Sequence, residues 1–182
     1  MKKGLCLNIK LRKFNESDIS NKVRWINDES NNTYLHYDLP LEIEKTQRWF
    51  EIIRDRTDRY DAVIEVDGIP VGVIGLLNID KINLKAEYYI TLGENSYKRK
   101  GISYIASQKL LKYAFEVLCL NKVYLNVDVN NNAACNLYEK LGFRCEGVFK
   151  EDMMHHKILI DRKRYAILKK EWNCISKNEG VL

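Results

Sequence analysis

Three consecutive cations, Lys98, Arg99 and Lys100, stand before Gly101, and Ser103 follows two places later. A strand-like run, Ala86 to Leu92, precedes them, and a helix-like run, Ile102 to Leu118, comes after. A loop that opens a helix gathers backbone N–H groups without intrahelical partners, together with the positive end of the helix dipole. Such a place suits an anion, and the added cations, one of them an arginine fork, suit phosphate or pyrophosphate best. Gly101 lets the backbone take φ > 0 or come close to a ligand. The same residues also fit a solvated basic loop that caps a helix and binds nothing. Two other phosphate loops are excluded, because neither G-x-x-x-x-G-K-(S/T) nor G-x-G-x-x-G occurs.

Lys98 to Ser103 resembles the (Q/R)-x-x-G-x-(G/A) loop of the GNAT family of N-acetyltransferases, which holds the pyrophosphate of acetyl-CoA. Lys98 stands in place of Gln or Arg, and Ser103 in place of Gly or Ala. A second motif lies further along. Asn131 to Phe143 matches the family's N-x-x-A-x-x-(L/F)-Y-x-x-x-G-F at every fixed position: Asn131, Ala134, Leu137, Tyr138, Gly142 and Phe143. The run Ala86 to Leu92 resembles the A-E-I-G-Y-x-L strand of the ribosomal-protein-N-acetyltransferase-like branch, with Tyr89 one step early. Val23 to Asp28, Gln47 to Phe50, Glu146 to Lys150 and Asp161 to Trp172 resemble further segments of that branch, so the likeness covers nearly the whole chain. It implies a single α/β N-acetyltransferase domain over 1–182. Its fold would be a mixed, mostly antiparallel seven-stranded sheet flanked by about four helices, with splayed central strands.

The resemblance implies a mechanism. Acetyl-CoA is the co-substrate, and a primary amine attacks its thioester directly. Lys98, Arg99, Lys100, Gly101, Ile102 and Ser103 would hold the pyrophosphate. Main-chain N–H groups near Ile90 and Leu92 would hold the oxyanion. Tyr138 would protonate the departing thiolate as general acid. Asn131 would contact the cofactor or cap its helix. Glu87 would take the amine's proton, directly or through water; the alternative is a surface strand residue. For the acceptor, an amino-sugar nucleotide, a protein N-terminus and a polyamine stay open. Trp25, Tyr34, His36, Tyr37 and Trp49 offer aromatic faces, and Arg24, Arg48 and His155 offer cations. That mixture favours a nucleotide-sugar over a polycation, for which more carboxylates are expected. A non-catalytic acyl-CoA sensor or interaction module of the same fold is the other class of function.

Elements must position these residues. Leu5, Leu7, Ile9 and Leu11 alternate like a half-buried strand. Ser17-Asp18 signals a short helix carrying Val23, Trp25 and Ile26. A second helix is expected over Leu41 to Arg56, with Ile43, Thr46, Phe50 and Ile53 on one side. Strands are expected over Tyr60–Val66 and Ile69–Leu77 around an Asp67-Gly68 turn, then over Leu84–Leu92. Ile102, Ile105, Ala106, Leu110, Ala114 and Val117 form the stripe of a third helix. Val123, Leu125, Val127 and Val129 share one face of a strand. A fourth helix runs from Asn131-Asn132 to Leu141 with Ala134, Leu137 and Leu141 inward, and Gly142 stops it. Strands at Phe143–Phe149 and Ile158–Leu168 close the chain, joined by a turn holding His155-His156, and the lysine-rich tail adds a turn.

The totals fit this plan. The 182 residues suit one core, and 46% hydrophobic with 30% charged residues is ordinary for a globular protein. A net charge of +5 favours an anionic ligand without marking a nucleic-acid binder. No apolar run reaches membrane-spanning length, and no signal-peptide core is present. Five cysteines without a C-x-x-C pair read as reduced thiols of a cytoplasmic protein. Three histidines and a Cys135 without a histidine at useful spacing speak against a metal site or a thiol nucleophile. The expected partners are therefore acetyl-CoA and an amine, with no nucleic acid or membrane; a homodimer stays open.

Overall fold

The structure, a computed structural model, describes residues 7–35, 37–155 and 157–178. Leu5 of the expected first strand, His36 and His156 lie outside them. Seven strands form one mixed sheet in the order β1-β2-β3-β4-β5-β7-β6. They are β1 (Ile9–Lys13), β2 (Tyr60–Val66), β3 (Ile69–Asp80), β4 (Lys85–Leu92), β5 (Lys122–Asp128), β6 (Arg144–His155) and β7 (Ile158–Leu168). The helices are α1 (Ile19–Asn27), the one-turn α2 (Glu29–Asn32), α3 (Ile43–Ile53), α4 (Ile102–Lys112), α5 (Asn132–Lys140) and α6 (Lys169–Asn178). Among the described residues no helix is long and apolar enough to cross a membrane.

The chain divides into two compact units. The first comprises Met1–Arg56, Tyr60–Gly75 and Ile90–Lys109. In it β1 pairs antiparallel with β2, Leu11 opposite Ile64. Val71, Val73 and Ile74 are buried without a polar alternation, as in a strand covered on both faces. Asn15, not Ser17-Asp18, caps the turn before α1: its side chain accepts the Ser17 N–H, and the Asp18 carboxylate accepts the Asn15 N–H. On α3 the expected inward Ile43 is 55% exposed, while Thr46 and Ile53 are buried.

The second unit comprises Thr57–Arg59, Leu76–Tyr89 and Leu110–Leu182. Here β4 and β5 run parallel and pair only over Lys85–Glu87 with Lys122–Tyr124. β5 continues to Asp128 along antiparallel β7, so its far half is paired on that side. Val123, Leu125 and Val127 are buried on one face, as their alternation requires. After α4 the chain makes one π turn at Tyr113–Val117. A π turn adds a residue and so rotates the next side chains about the helix axis. Phe115 is therefore buried, whereas Val117, expected on the stripe, is 65% exposed. β6 extends past Phe149 to His155 because irregularities between Cys145 and Gly147 and between Phe149 and Met153 absorb extra residues while pairing resumes. The tail forms the full helix α6 rather than a turn.

Candidate active site

The basic loop follows β4 and a short 3-10 turn at Asn95–Tyr97. Gly101 has φ +76, and an added Cβ would meet nothing within 4 Å. The glycine is needed here for its backbone conformation, not for space. The first bond of α4 runs from Ile105 N–H to the Gly101 carbonyl at 3.1 Å. The N–H groups of Ile102 and Ser103 lie ahead of it and have no backbone partner among the described residues. The three cations differ. Lys98 Nζ donates to the Ser30 carbonyl at 3.3 Å, so this side chain is tied back. Lys98 and the Ser30 N–H and hydroxyl surround Asp28, whose carboxyl lies below its ordinary value chiefly because it accepts from Ser30. Arg99 and Lys100 are exposed, and Lys100 Nζ sits 5.4 Å from the centre of the Tyr97 ring.

Asn131 caps α5, its Oδ1 accepting the Ala134 N–H at 3.1 Å. Of its two expected roles, capping is the one seen. The buried residues of α5 and its end are Cys135, Tyr138 and Leu141, one step round from the expected Ala134, Leu137 and Leu141. Their spacing of three keeps them on one face. Tyr138 is therefore 7% exposed, more buried than its offset from the expected stripe implied. Its ring lies against Tyr88, Phe143 and Tyr165, with centroids 5.9, 5.9 and 6.2 Å away. Burial raises its phenol well above the ordinary tyrosine value, and nearness to Cys135 adds to this. The phenol thus stays protonated at neutral pH.

Glu87 projects from the face of β4 opposite Ala86 and Tyr88, both buried. Its Oε2 accepts from Asn78 Nδ2 at 3.1 Å and its Oε1 from Asn126 Nδ2 at 3.3 Å. Asn78, on β3, is itself in the left-handed region with φ 51. No cation pairs with Glu87 among the described residues. Tyr124 stands opposite Glu87 in the β4–β5 register. Its phenol is raised first by burial and then by the Glu87 charge, and Arg164 lies over its ring at 4.0 Å. Neither Asn78 nor Asn126 was expected from the sequence. The signal for both was an amide in a strand, a residue type that strands disfavour without a reason.

The proposed acceptor residues fare differently. Trp25 is 1% exposed, its indole N–H donates to Glu94 Oε1 at 2.8 Å, and it is part of the core rather than an open aromatic face. Arg24 is not a free cation either, since it pairs with the same Glu94 oxygen. Trp49 is half-buried, with the buried Lys22 ammonium 3.3 Å from its ring centre. Tyr37 is exposed and also within 5.9 Å of Lys22 Nζ. His155 is the last residue of β6, opposite Ile158, rather than part of the turn. Ile90 and Leu92 lie on β4 beyond Glu87, where its pairing with β5 ends.

Residues 8–144 match the model of the acetyltransferase (GNAT) domain. The chain is 31% identical to a spermidine N(1)-acetyltransferase of Escherichia coli over 87% of this chain and 83% of that one. It is 36% identical to an N-alpha-acetyltransferase of Sulfurisphaera tokodaii over 45% of this chain and 54% of that one. The crystal structure of a spermidine N-acetyltransferase from Vibrio cholerae in complex with CoA and spermine superposes with a TM-score of 0.84. That likeness is at 26% identity and covers 91% of this chain and 98% of that one. This chain therefore belongs to the GNAT family and is an acetyl-CoA-dependent N-acetyltransferase.

Proposed function

We propose that this enzyme, one catalytic domain over its length, acetylates a primary amine of a polyamine by direct attack on acetyl-CoA. The carrying observation is the carboxylate of Glu87, held by two amides and paired with no cation among the described residues. An acceptor ammonium supplies the missing charge. Glu87 takes its proton, the neutral amine attacks the thioester carbon, and the C–S bond breaks as Tyr138 protonates the thiolate. Backbone N–H groups near Ile90 and Leu92 stabilise the oxyanion, and the loop Lys98–Ser103 holds the pyrophosphate. The cytoplasm, where acetyl-CoA and reduced thiols coexist, is the setting.

The polyamine is preferred to an amino-sugar nucleotide on two grounds. The likeness to spermidine acetyltransferases spans most of the chain. In addition, two of the residues that favoured a nucleotide are otherwise engaged: Trp25 is buried and Arg24 is paired with Glu94. The ribosomal-protein-N-acetyltransferase-like branch, as the segment Val23 to Asp28 suggests, accommodates a polyamine enzyme. The test is thiol release from acetyl-CoA in the presence of spermidine, an amino-sugar nucleotide or an N-terminal peptide. Release with spermidine well above the other two is expected. Release with either of the others and none with spermidine removes the polyamine.

A further inference from the structure

Asn126 does more than brace Glu87. An ionised carboxylate is an acceptor only, so the contact with Glu87 Oε1 fixes the amide with its nitrogen toward the carboxylate. The other half of the group, Asn126 Oδ1, can take nothing from an ionised Glu87. It is buried and has no hydrogen-bond partner among the described residues. A buried carbonyl oxygen without a donor is costly, so an orphan beside a candidate catalytic group needs an explanation. Its surroundings do not supply a donor: Asn126 stands opposite Arg164 in the β5–β7 register, but that guanidinium lies over Tyr124 and reaches toward Glu146 at 3.6 Å. The other strand amide, Asn78, gives one N–H to Glu87 Oε2 and none to Asn126 Oδ1. What the place lacks is an N–H beside an unpaired carboxylate, and a primary ammonium brings three of them.

We infer that Asn126 is a substrate-positioning residue: its amide nitrogen holds Glu87 in place, and its Oδ1 accepts an N–H of the acceptor's primary amine. This rests on the reading of Glu87 as proton acceptor. One N–H of the ammonium points to Glu87 and is lost to it as a proton. A second stays on Asn126 Oδ1. With two of the three directions fixed, the electron pair released by deprotonation is oriented for attack, which is where most of the advantage of a bound nucleophile lies. Asn78 completes the brace on the far carboxylate oxygen without touching the amine.

The test is steady-state kinetics on Asn126→Leu, Asn126→Ala, Glu87→Gln and the double variant Glu87→Gln/Asn126→Leu, with spermidine and acetyl-CoA varied separately and the melting temperature of each variant recorded. Asn126→Leu and Asn126→Ala are expected to lose about 10- to 100-fold in kcat/KM for the amine while KM for acetyl-CoA stays put. The double variant is expected to fall no lower than Glu87→Gln, because residues acting as one unit are not additive. Wild-type kcat/KM in either folded Asn126 variant overturns the inference, as does a loss that multiplies with that of Glu87→Gln. Glu87→Gln at full turnover has a separate meaning: it removes the base, and with it the premise.

Discussion

The ring of Tyr138 stands edge-on to that of Tyr88, with centroids 5.9 Å apart and planes at 86°. Edge-to-face contact at this distance stabilises both rings beyond the area they bury. Phe143 and Tyr165 close the remaining sides at 5.9 and 6.2 Å. The ring is therefore a packing element, and the hydroxyl alone is free to do chemistry.

Tyr138→Phe tests that division. The ring contacts survive, and the lost hydroxyl has no hydrogen-bond partner among the described residues, so stability should change by less than about 1 kcal/mol. Turnover should fall by roughly 10²–10⁴-fold if the phenol protonates the thiolate, with CoA affinity by calorimetry unchanged. A variant that turns over at the wild-type rate would mean that the thiolate leaves unassisted or takes its proton from water.

The cations of the loop predict a salt-dependent effect. Arg99 and Lys100 are exposed, whereas Lys98 is tied to Ser30. Replacing Arg99 and Lys100 together by Ala should raise KM for acetyl-CoA by about 10-fold at low ionic strength, with kcat nearly kept. The difference from wild type should shrink as salt rises toward 1 M, where the screening length is about 3 Å. An equal loss in kcat would point to a misplaced thioester rather than a loosened phosphate.

Glu94 predicts a response to acid. Its carboxyl lies below its ordinary value of 4.5, first because Arg24 bonds to it and then because the Trp25 indole does. A carboxyl whose folded value is depressed contributes stability above its unfolded value, and that contribution is lost as pH falls through the folded value. Wild-type denaturant midpoints should therefore drop as pH is lowered below 4.5. Glu94→Gln should be less stable at neutral pH by about 1 kcal/mol, modest because the Arg24 end is exposed. Its decline in acid should be shallower, and parallel curves would remove Glu94 as a contributor.

Much of this was legible in the sequence where a pattern is local. The alternation of Val123, Leu125 and Val127 placed β5, and Asp67-Gly68 placed the turn between β2 and β3, both with φ > 0. Asn131 and Gly142 bracketed α5. The rest stayed hidden because it depends on partners far along the chain. Glu87 is braced from residues 9 and 39 positions away, and no spacing rule couples three strands. The inward face of α5 was one step off because Ala134 and Leu137 share a stripe as credible as that of Cys135 and Tyr138 until packing decides. Val117 lost its place to Phe115 through a π turn that composition does not announce. Trp25 reads as a substrate face in the sequence because an aromatic beside Arg24 fits a cleft as well as a core; Gly93 and Glu94 settle it.

Gly93 and Trp25 make the last prediction. A Cβ built on Gly93 would lie 2.0 Å from Trp25 Cγ. Neither side can yield easily. Gly93 N–H donates to the Val71 carbonyl at 2.8 Å, and its carbonyl accepts from Asn31 Nδ2 at 2.9 Å. The same Asn31 nitrogen also bonds to the Trp25 carbonyl at 3.0 Å, so one side chain ties both residues. Gly93→Ala should cost about 3 kcal/mol or more, at the upper end for overpacking because backbone and ring are both pinned. Gly147→Ala is the control: its Cβ would meet nothing within 4 Å, and its φ is not in the left-handed region, so its melting temperature should stay near wild type. The double variant Trp25→Leu/Gly93→Ala should lose less than the two single losses added, because removing the indole removes the clash. Additive losses would mean that the alanine is harmful for a reason other than the ring it faces.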